Sequence, residues 1–566
     1  MKTSPFVTLG LYALSLKQDT TATCDGIQAF SKLKDLQTDN FTNRPYITYE
    51  PNFWLLDGNY KFIPENISTV HVGLMSLSMS DVDGNFTVPP VLTITFGSVQ
   101  SIESLTIHGF QYSNDYPTQF NVKYYDVDDV ELSDVTYYPA DWEYSTDNAV
   151  ADFKKIVITF YTTNKPYRYL RISALDYGEL LEFNSADIKT LSVVEETSVL
   201  STELPIGTME LTLHSDDADF SIVNPTGLYS TLKFRQPLNV YETVGMNQVF
   251  IGQFYLSVWE SISENIIKFT CFDALGVLDT MTYWGNLWQT PETIRIICDN
   301  LFNAISMPYY LDPDLESETI YGFIGICTCR EALQQIAFAA GAMVSCSRTG
   351  VIQINKTKLA SEVVTPDYTI TKAEKGMDQS LTLKQMVTGI DLTYHHYKYT
   401  GTAEEVFNGS LEAGIQTLTF TDPVYFVGAT ITGATIIDYG VAYININVAV
   451  GGTVTISAKP FLHTTQIISK NDLTLDAAIK PNVLSITDAT MVMQDYVSDI
   501  LDSVYAYYQQ RYLQKMRLYA PAVEIGKSVL IDTLYNQKIV AIVEKMELNL
   551  SSGFIAQTEA TGVIDA

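Results

Sequence analysis

The residues able to do chemistry are few, and their spacing is poor. Six histidines stand at 71, 108, 214, 395, 396 and 463, and none lies in His-Glu-x-x-His or another zinc spacing. His395-His396 falls in an alternating run, which sends the two rings to opposite faces of a strand. Cys327-Thr-Cys329 is the most suggestive thiol pair. Cys329 falls in the first turn of an expected helix, where the helix dipole favours a thiolate. Cysteines one residue apart at a strand–helix junction rarely share a metal, and free cysteine most often behaves as a small buried hydrophobe. Six cysteines in 566 residues are too sparse for a disulfide scaffold, so Cys271, Cys298, Cys327, Cys329 and Cys346 are expected to be unpaired and metal-free. No Gly-x-Ser-x-Gly elbow and no phosphate loop occurs. The sequence therefore calls for no catalytic residue, no cofactor and no metal. The aromatic residues Trp54, Tyr60, Tyr112 and Tyr116 lie in or beside expected turns. There they either pack an edge or present a face on which a sugar ring stacks.

The elements around these residues are mostly β. Residues 20–180 carry short alternating runs at Val91–Phe96, Ser104–His108, Phe120–Tyr125, Lys155–Tyr161 and Tyr167–Ile172, separated by Asp83-Gly-Asn85, Pro89-Pro90 and Ser113–Pro117. That pattern predicts a β-sandwich, with a boundary at Asp176-Tyr-Gly-Glu179 that makes it a separable accessory module. Residues 181–282 carry five further strands, enough to close a small barrel. Over 283–360 the period shifts to 3.6. Thr290-Pro-Glu reads as a helix start, and Thr328-Cys-Arg-Glu331 as a capping box opening a second helix. Residues 361–485 return to β, with a strand-rich insertion at 401–470. A long helix is expected within 486–515, and 516–566 supply closing strands. Segment 1–19 reads as an N-terminal strand, since Thr and Ser interrupt its apolar run and no Ala-x-Ala site follows.

Composition narrows the function classes. Acidic residues outnumber basic ones 65 to 34, a net charge of −31 that repels phosphate backbones. No run reaches the roughly 18–20 apolar residues of a membrane helix, so membrane insertion is not expected. Tyr496, Tyr505, Tyr507, Tyr508 and Tyr512 point from more than one side of the expected long helix. A helix burying one face needs one apolar stripe. The extra tyrosines predict a second buried face, against a neighbouring domain or subunit or within a large groove of the same chain.

Two resemblances follow from longer stretches. Tyr49–Gly58, Val72–Phe86, Pro89–Phe96, Tyr116–Tyr125 and Tyr169–Ile172, in that order, resemble a discoidin (F5/8 type C) domain of the kind found in phage tail proteins. The resemblance implies a jelly-roll sandwich that binds carbohydrate through loops at one end. It also implies a calcium position at Asp57, although Asn-Tyr-Lys follows Gly58 instead of the family's acidic and hydroxyl ligands. Ile188–Glu196, Leu204–Leu211, Phe220–Leu228, Arg235–Tyr241, Phe250–Leu256, Phe272–Asp279, Cys329–Ala339, Tyr507–Arg511 and Val523–Val529 resemble the baseplate hub or tail-tip proteins of phages and phage-tail-like particles of Gram-positive bacteria. That family implies a homotrimer with two tube-like β-barrel domains per subunit, capping a six-fold tail tube and meeting the spike or tip and other baseplate proteins. DNA would only pass through its lumen, which should be acidic or neutral. The location implied is the virion or an extracellular tail-like particle. The expected fold is thus mainly β with a minor α/β part: a jelly-roll sandwich, two tube-like barrels, a two-helix α/β piece and a long C-terminal helix. A receptor-binding protein recognising cell-surface carbohydrate, and a tail-associated cell-wall hydrolase, are the competing readings.

Overall fold

The computed structural model describes residues 3–12, 20–37, 50–51, 73–214, 232–244, 247–472 and 480–565, save positions 30, 103, 111, 112, 147, 149, 233, 306, 347, 349, 536 and 552. The chain is mainly β, 57% strand against 10% helix. It divides into two compact units: 8–182 with 224–232, and 1–7 with 183–223 and 233–566.

The smaller unit is a two-layer β structure. One layer is a five-stranded antiparallel sheet in the order Thr20–Cys24, Val91–Ile102, Val150–Thr163, Pro117–Tyr125, Glu131–Tyr137. The run at 91–96 alternates exposed and buried, so Leu92, Ile94 and Phe96 enter the core while Val91 and Thr93 turn outward. Leu74–Met79 with Tyr169–Ile172, and Ser104–His108 with Ala174–Phe183 and Glu143–Ser145, supply the other strands. Phe96, Phe120, Phe153 and Phe160 meet Leu74, Leu105, Leu170 and Ile172 in one core, each such side chain contributing about 1.5–3 kcal/mol. The Ala174–Phe183 strand runs straight through 176–179, so the expected boundary falls inside a strand, held by its ladder to Ser104–His108.

The larger unit is built on a long antiparallel sheet. Its order is Lys375–Leu383, Tyr512–Leu518, Ile555–Ile564, Lys538–Asn549, Ile188–Glu196, Thr208–His214, Ile266–Phe272, Asn247–Ser263, Pro237–Val244. Among the described residues the first block of strands does not close on itself as a barrel. The free edge of Ile188–Glu196 pairs instead with Lys538–Asn549, from Ser192 opposite Asn549 to Glu196 opposite Lys545. The result is one continuous antiparallel sheet in which the two blocks of strands meet edge to edge. Gly562 permits the tight packing of the last two strands, because a Cβ there would sit 1.9 Å from the Val540 carbonyl oxygen.

Four α-helices are present among the described residues: α1 Ala274–Asp279, α2 Ile294–Ile305, α3 Cys329–Ala339 and α4 Val497–Tyr508. The capping box of α3 forms as the sequence indicates: Thr328 Oγ1 accepts from Glu331 N, and Glu331 accepts from Thr328 N. Helix α2 starts at Ile294 rather than Thr290. Asn286–Thr293 is a strand against Thr319–Ile324, and its register breaks between Trp288 and Glu292, where Pro291 has no N–H to give. The expected long helix is only twelve residues. Val483–Ile486 is a strand, Met491, Val492 and Met493 are buried in the turn before α4, and the period-two run from Tyr512 joins the sheet. The helices share a core that includes Leu275, Ile297, Leu301, Leu333, Ile336, Ile500 and Val504.

The insertion has a core of its own, around Phe426, Ile444, Ile446, Val454 and Ile456. It rises from a stalk of Gly389–Tyr399 against Gly452–Asn471, paired from Gly389–Asn471 to Tyr399–Phe461, with Val483–Ile486 alongside Gly389–Leu392 at its root.

Candidate functional site

The most built-up polar cluster lies at one end of the smaller unit, where segments far apart in sequence are tied together. Glu50 receives both arms of Arg171, with Nη1 to Oε1 at 2.8 Å, and also accepts from Tyr169 N at 2.7 Å. Asp115 lies 3.0 Å from Lys165 Nζ, 3.5 Å from Arg168 Nε and 3.8 Å from Arg171 Nη1. Arg168 donates to the Pro51 carbonyl at 2.8 Å. Glu50 and Asp115 are each only 2% exposed, and Arg168 and Arg171 are buried beside them. Three cations thus face two carboxylates. Breaking a buried pair of this kind typically costs about 3–5 kcal/mol, because it strands the remaining charge.

That network fixes the surrounding loops. Asn164 Oδ1 accepts from Tyr116 N at 3.0 Å, and Asn164 Nδ2 donates to Asn114 O at 2.7 Å. Lys165 Nζ donates to Ser113 O. Tyr167 N donates to Asp81 O, and the Asp81 carboxylate accepts from Asp83 N and Asn85 N. Gly84, at φ +81°, lies where a Cβ would come within 2.6 Å of Thr163 O. Asn114 and Tyr167 also take left-handed backbone, at φ 47° and 54°, conformations that persist only where the surroundings impose them. Tyr167 is 43% exposed, so a rigid frame presents one aromatic face to solvent.

Of the sequence candidates, Tyr116 belongs to this end. It is half-buried, and burial together with Asp141 raises its phenol pKa. Trp54, Asp57, Tyr60 and Tyr112 lie outside the described residues. Tyr167 and the ion network escaped the sequence reading, because their partners are 50 to 121 residues distant. The one local signal was the Asn164-Lys-Pro-Tyr167 turn composition.

A second polar centre in the same unit is His108. Its Nε2 lies 2.7 Å from Asp176 Oδ2, and its Nδ1 lies 3.4 Å from Glu143. Burial alone would lower its pKa, but the two carboxylates hold it up, at about 9.

The tyrosine candidates lie in the larger unit. Tyr496 stands at the N-cap of α4 and bonds the Tyr321 carbonyl at 2.8 Å. Tyr507 donates to Glu544 at 2.7 Å and meets Tyr508 edge-to-face at 5.2 Å. Tyr505 lies under Lys470 at 5.2 Å. These four pack against the helical core, and Tyr507 and Tyr508 line a cleft of about 370 Å³. Tyr512 is separate from them, opening the Tyr512–Leu518 strand opposite Leu383 and Gly562.

The six thiols are free, and Cys271, Cys298, Cys329 and Cys346 are buried. Burial raises Cys329 to about 11, opposite to the thiolate that its helix position would favour. Among the described residues no group of three or more His, Cys, Asp or Glu side chains is arranged for a metal, and no helix is long and apolar enough to cross a membrane.

No family profile and no curated protein matches the chain. Solved structures do. A tail protein from Neisseria meningitidis MC58 is 9% identical, with a TM-score of 0.41 over 67% of this chain and 93% of its own. The 43 kDa tail protein of prophage MuSo2 from Shewanella oneidensis is 10% identical, with a TM-score of 0.39 over 68% and 95%. The family 32 carbohydrate-binding module of C. perfringens NanJ, solved with galactose, is 12% identical, with a TM-score of 0.20 over 30% of this chain and 99% of its own.

Proposed function

We propose that this protein is a structural component of a phage tail or tail-like particle. It would act as a trimeric hub that caps the tail tube, joins it to the spike or tip, and carries an accessory carbohydrate-binding domain. The observation that supports this reading best is the edge-to-edge union of two strand blocks in one sheet, made by five ladder pairs between Ile188–Glu196 and Lys538–Asn549. A subunit with two similar curved β surfaces side by side supplies two of six quasi-equivalent positions. Three copies then complete a ring that matches a six-fold tube. In this reading the bore is acidic or neutral, so that DNA passes without sticking, in keeping with the charge of −31. The work done is assembly rather than catalysis.

The loop end of the smaller unit favours a second role for the same molecule, in recognising cell-surface carbohydrate. Its support is an exposed tyrosine on loops locked by buried ion pairs, a preorganised platform for stacking a sugar ring. Light scattering of the purified protein at micromolar concentration tests the hub, with a mass three times that of the chain expected. A monomer that stays monomeric when the tail tube protein is added would refute it. A glycan array separates the roles: sugar binding by a monomer that never trimerises would leave a receptor-binding protein.

A further inference from the structure

At the root of the insertion, four groups form a continuous chain of contacts. Asp422, on the loop between the Gly414–Thr419 and Val424–Thr432 strands, lies 2.9 Å from His463 Nδ1. His463 Nε2 lies 2.9 Å from His395 Nδ1. His395 Nε2 lies 3.1 Å from the carbonyl oxygen of Thr487, just past the Val483–Ile486 strand. The chain thus runs from the insertion, across both stalk strands, to the segment leading into α4. Its rings are held flat, with Tyr397 stacked on His463 at 4.5 Å and the two imidazoles 5.2 Å apart. His395 is buried, whereas His463 and Asp422 are 28% and 52% exposed.

The three contacts each need one proton. Both ends are acceptors only, a carbonyl and a carboxylate, and two neutral imidazoles bring two protons between them. If His395 gives its proton to Thr487, its Nδ1 is a lone pair and requires His463 Nε2–H. His463 then has no proton left for Asp422. The observed spacing therefore fits a chain holding one proton more than the neutral histidines and ionised Asp422 supply. We propose that the His395–His463–Asp422 chain is a proton-dependent clamp that fixes the insertion to its stalk, closed when it binds a third proton and loosened when that proton leaves.

The extra proton is disfavoured at the buried, His395 end of the chain. Burial lowers the pKa of His395, the neighbouring His463 lowers it further, and Thr487 and Asp488 oppose this only in part. Among the described residues Tyr397 also faces the chain; its phenol is raised by burial and by Asp422 and so stays neutral. Histidines change charge between about pH 5 and 8. The closed clamp binds a proton that the open one lacks, so it weakens as pH rises through that window. The insertion has another anchorage, Trp284 against Tyr443 at 5.1 Å, so opening the clamp changes its hold without unfolding it.

Hydrogen–deuterium exchange of the full chain tests this, with rates corrected for intrinsic exchange and helix α3 as internal reference. Amides at 395–399 and 461–465 should lose protection roughly tenfold between pH 6 and pH 8.5, the size of one unmade, partly buried hydrogen bond. Asp422→Asn is the discriminating variant. Its amide N–H donates to His463 Nδ1 and supplies the third proton permanently, so protection should persist at pH 8.5. Asp422→Ala should lower protection at pH 6 and flatten the profile. Wild-type protection that does not change with pH would overturn the proposal. So would an Asp422→Asn variant that loses protection at pH 8.5 as the wild type does, because the missing proton would then not be what loosens the contact.

Discussion

His108 shows most directly how single residues hold the smaller unit. Its ring is held charged between Asp176 and Glu143, with a pKa of about 9 against an ordinary value near 6.5. A raised histidine contributes stability that is complete below about pH 6.5 and is lost as pH rises through about 9. At pH 7 the contribution is about 3 kcal/mol. His108→Asn should therefore cost about 2–3 kcal/mol in denaturant unfolding of the full chain at pH 6–7, and much less at pH 9.5. An equal loss at both pH values would mean that the ring acts through packing alone. The sequence located His108 in an alternating strand, but its partner Asp176 is 68 residues away, and nothing local announced it. The same holds for Arg171 and Glu50, 121 residues apart. Opposite faces for His395 and His396 followed from alternation alone, and the former is buried while the latter is exposed.

At the scale of elements, local rules succeeded where the chain had nothing better to do and failed where the sheet competed. The α3 capping box is complete within four residues, and it forms. The helix expected across 486–515 kept only Val497–Tyr508, because Tyr512–Leu518 has two ladder partners, Lys375–Leu383 and Ile555–Ile564, and the sheet claims it. Pro291, read as a helix start, instead marks a break in a strand. Among the described residues the strands of 181–282 extend into a larger sheet, because the partner of their free edge arrives more than 340 residues later. Helix α4 is tied to that late sheet by Tyr507, whose hydroxyl donates to Glu544, which also accepts from Thr561. Tyr507→Phe keeps the ring and its packing and should lower stability by about 1 kcal/mol, read as a fall in Tm. Tyr507→Ser should cost about 2–3 kcal/mol, since it also removes a half-buried ring from the cleft wall. Equal losses for the two variants would show that the hydroxyl, not the ring, dominates.

For the whole molecule, the charge of −31 sets the terms of assembly. Copies of so acidic a chain repel, and the proposed ring would need an extended, well-packed interface to overcome that. The two joined strand blocks offer a continuous β surface for such an interface, while the insertion and the smaller unit carry their own cores. The proposed division of labour is a ring that assembles, a platform that recognises sugar, and a clamp that answers to pH. The measurement that tests the hub most directly is an electron-microscopy map of the intact particle. The account predicts three copies around the tail axis, with their joined strand blocks forming a ring of six similar positions against the tube and a bore free of lysine and arginine clusters. A map placing the chain away from the axis, or in a number other than three, would contradict it.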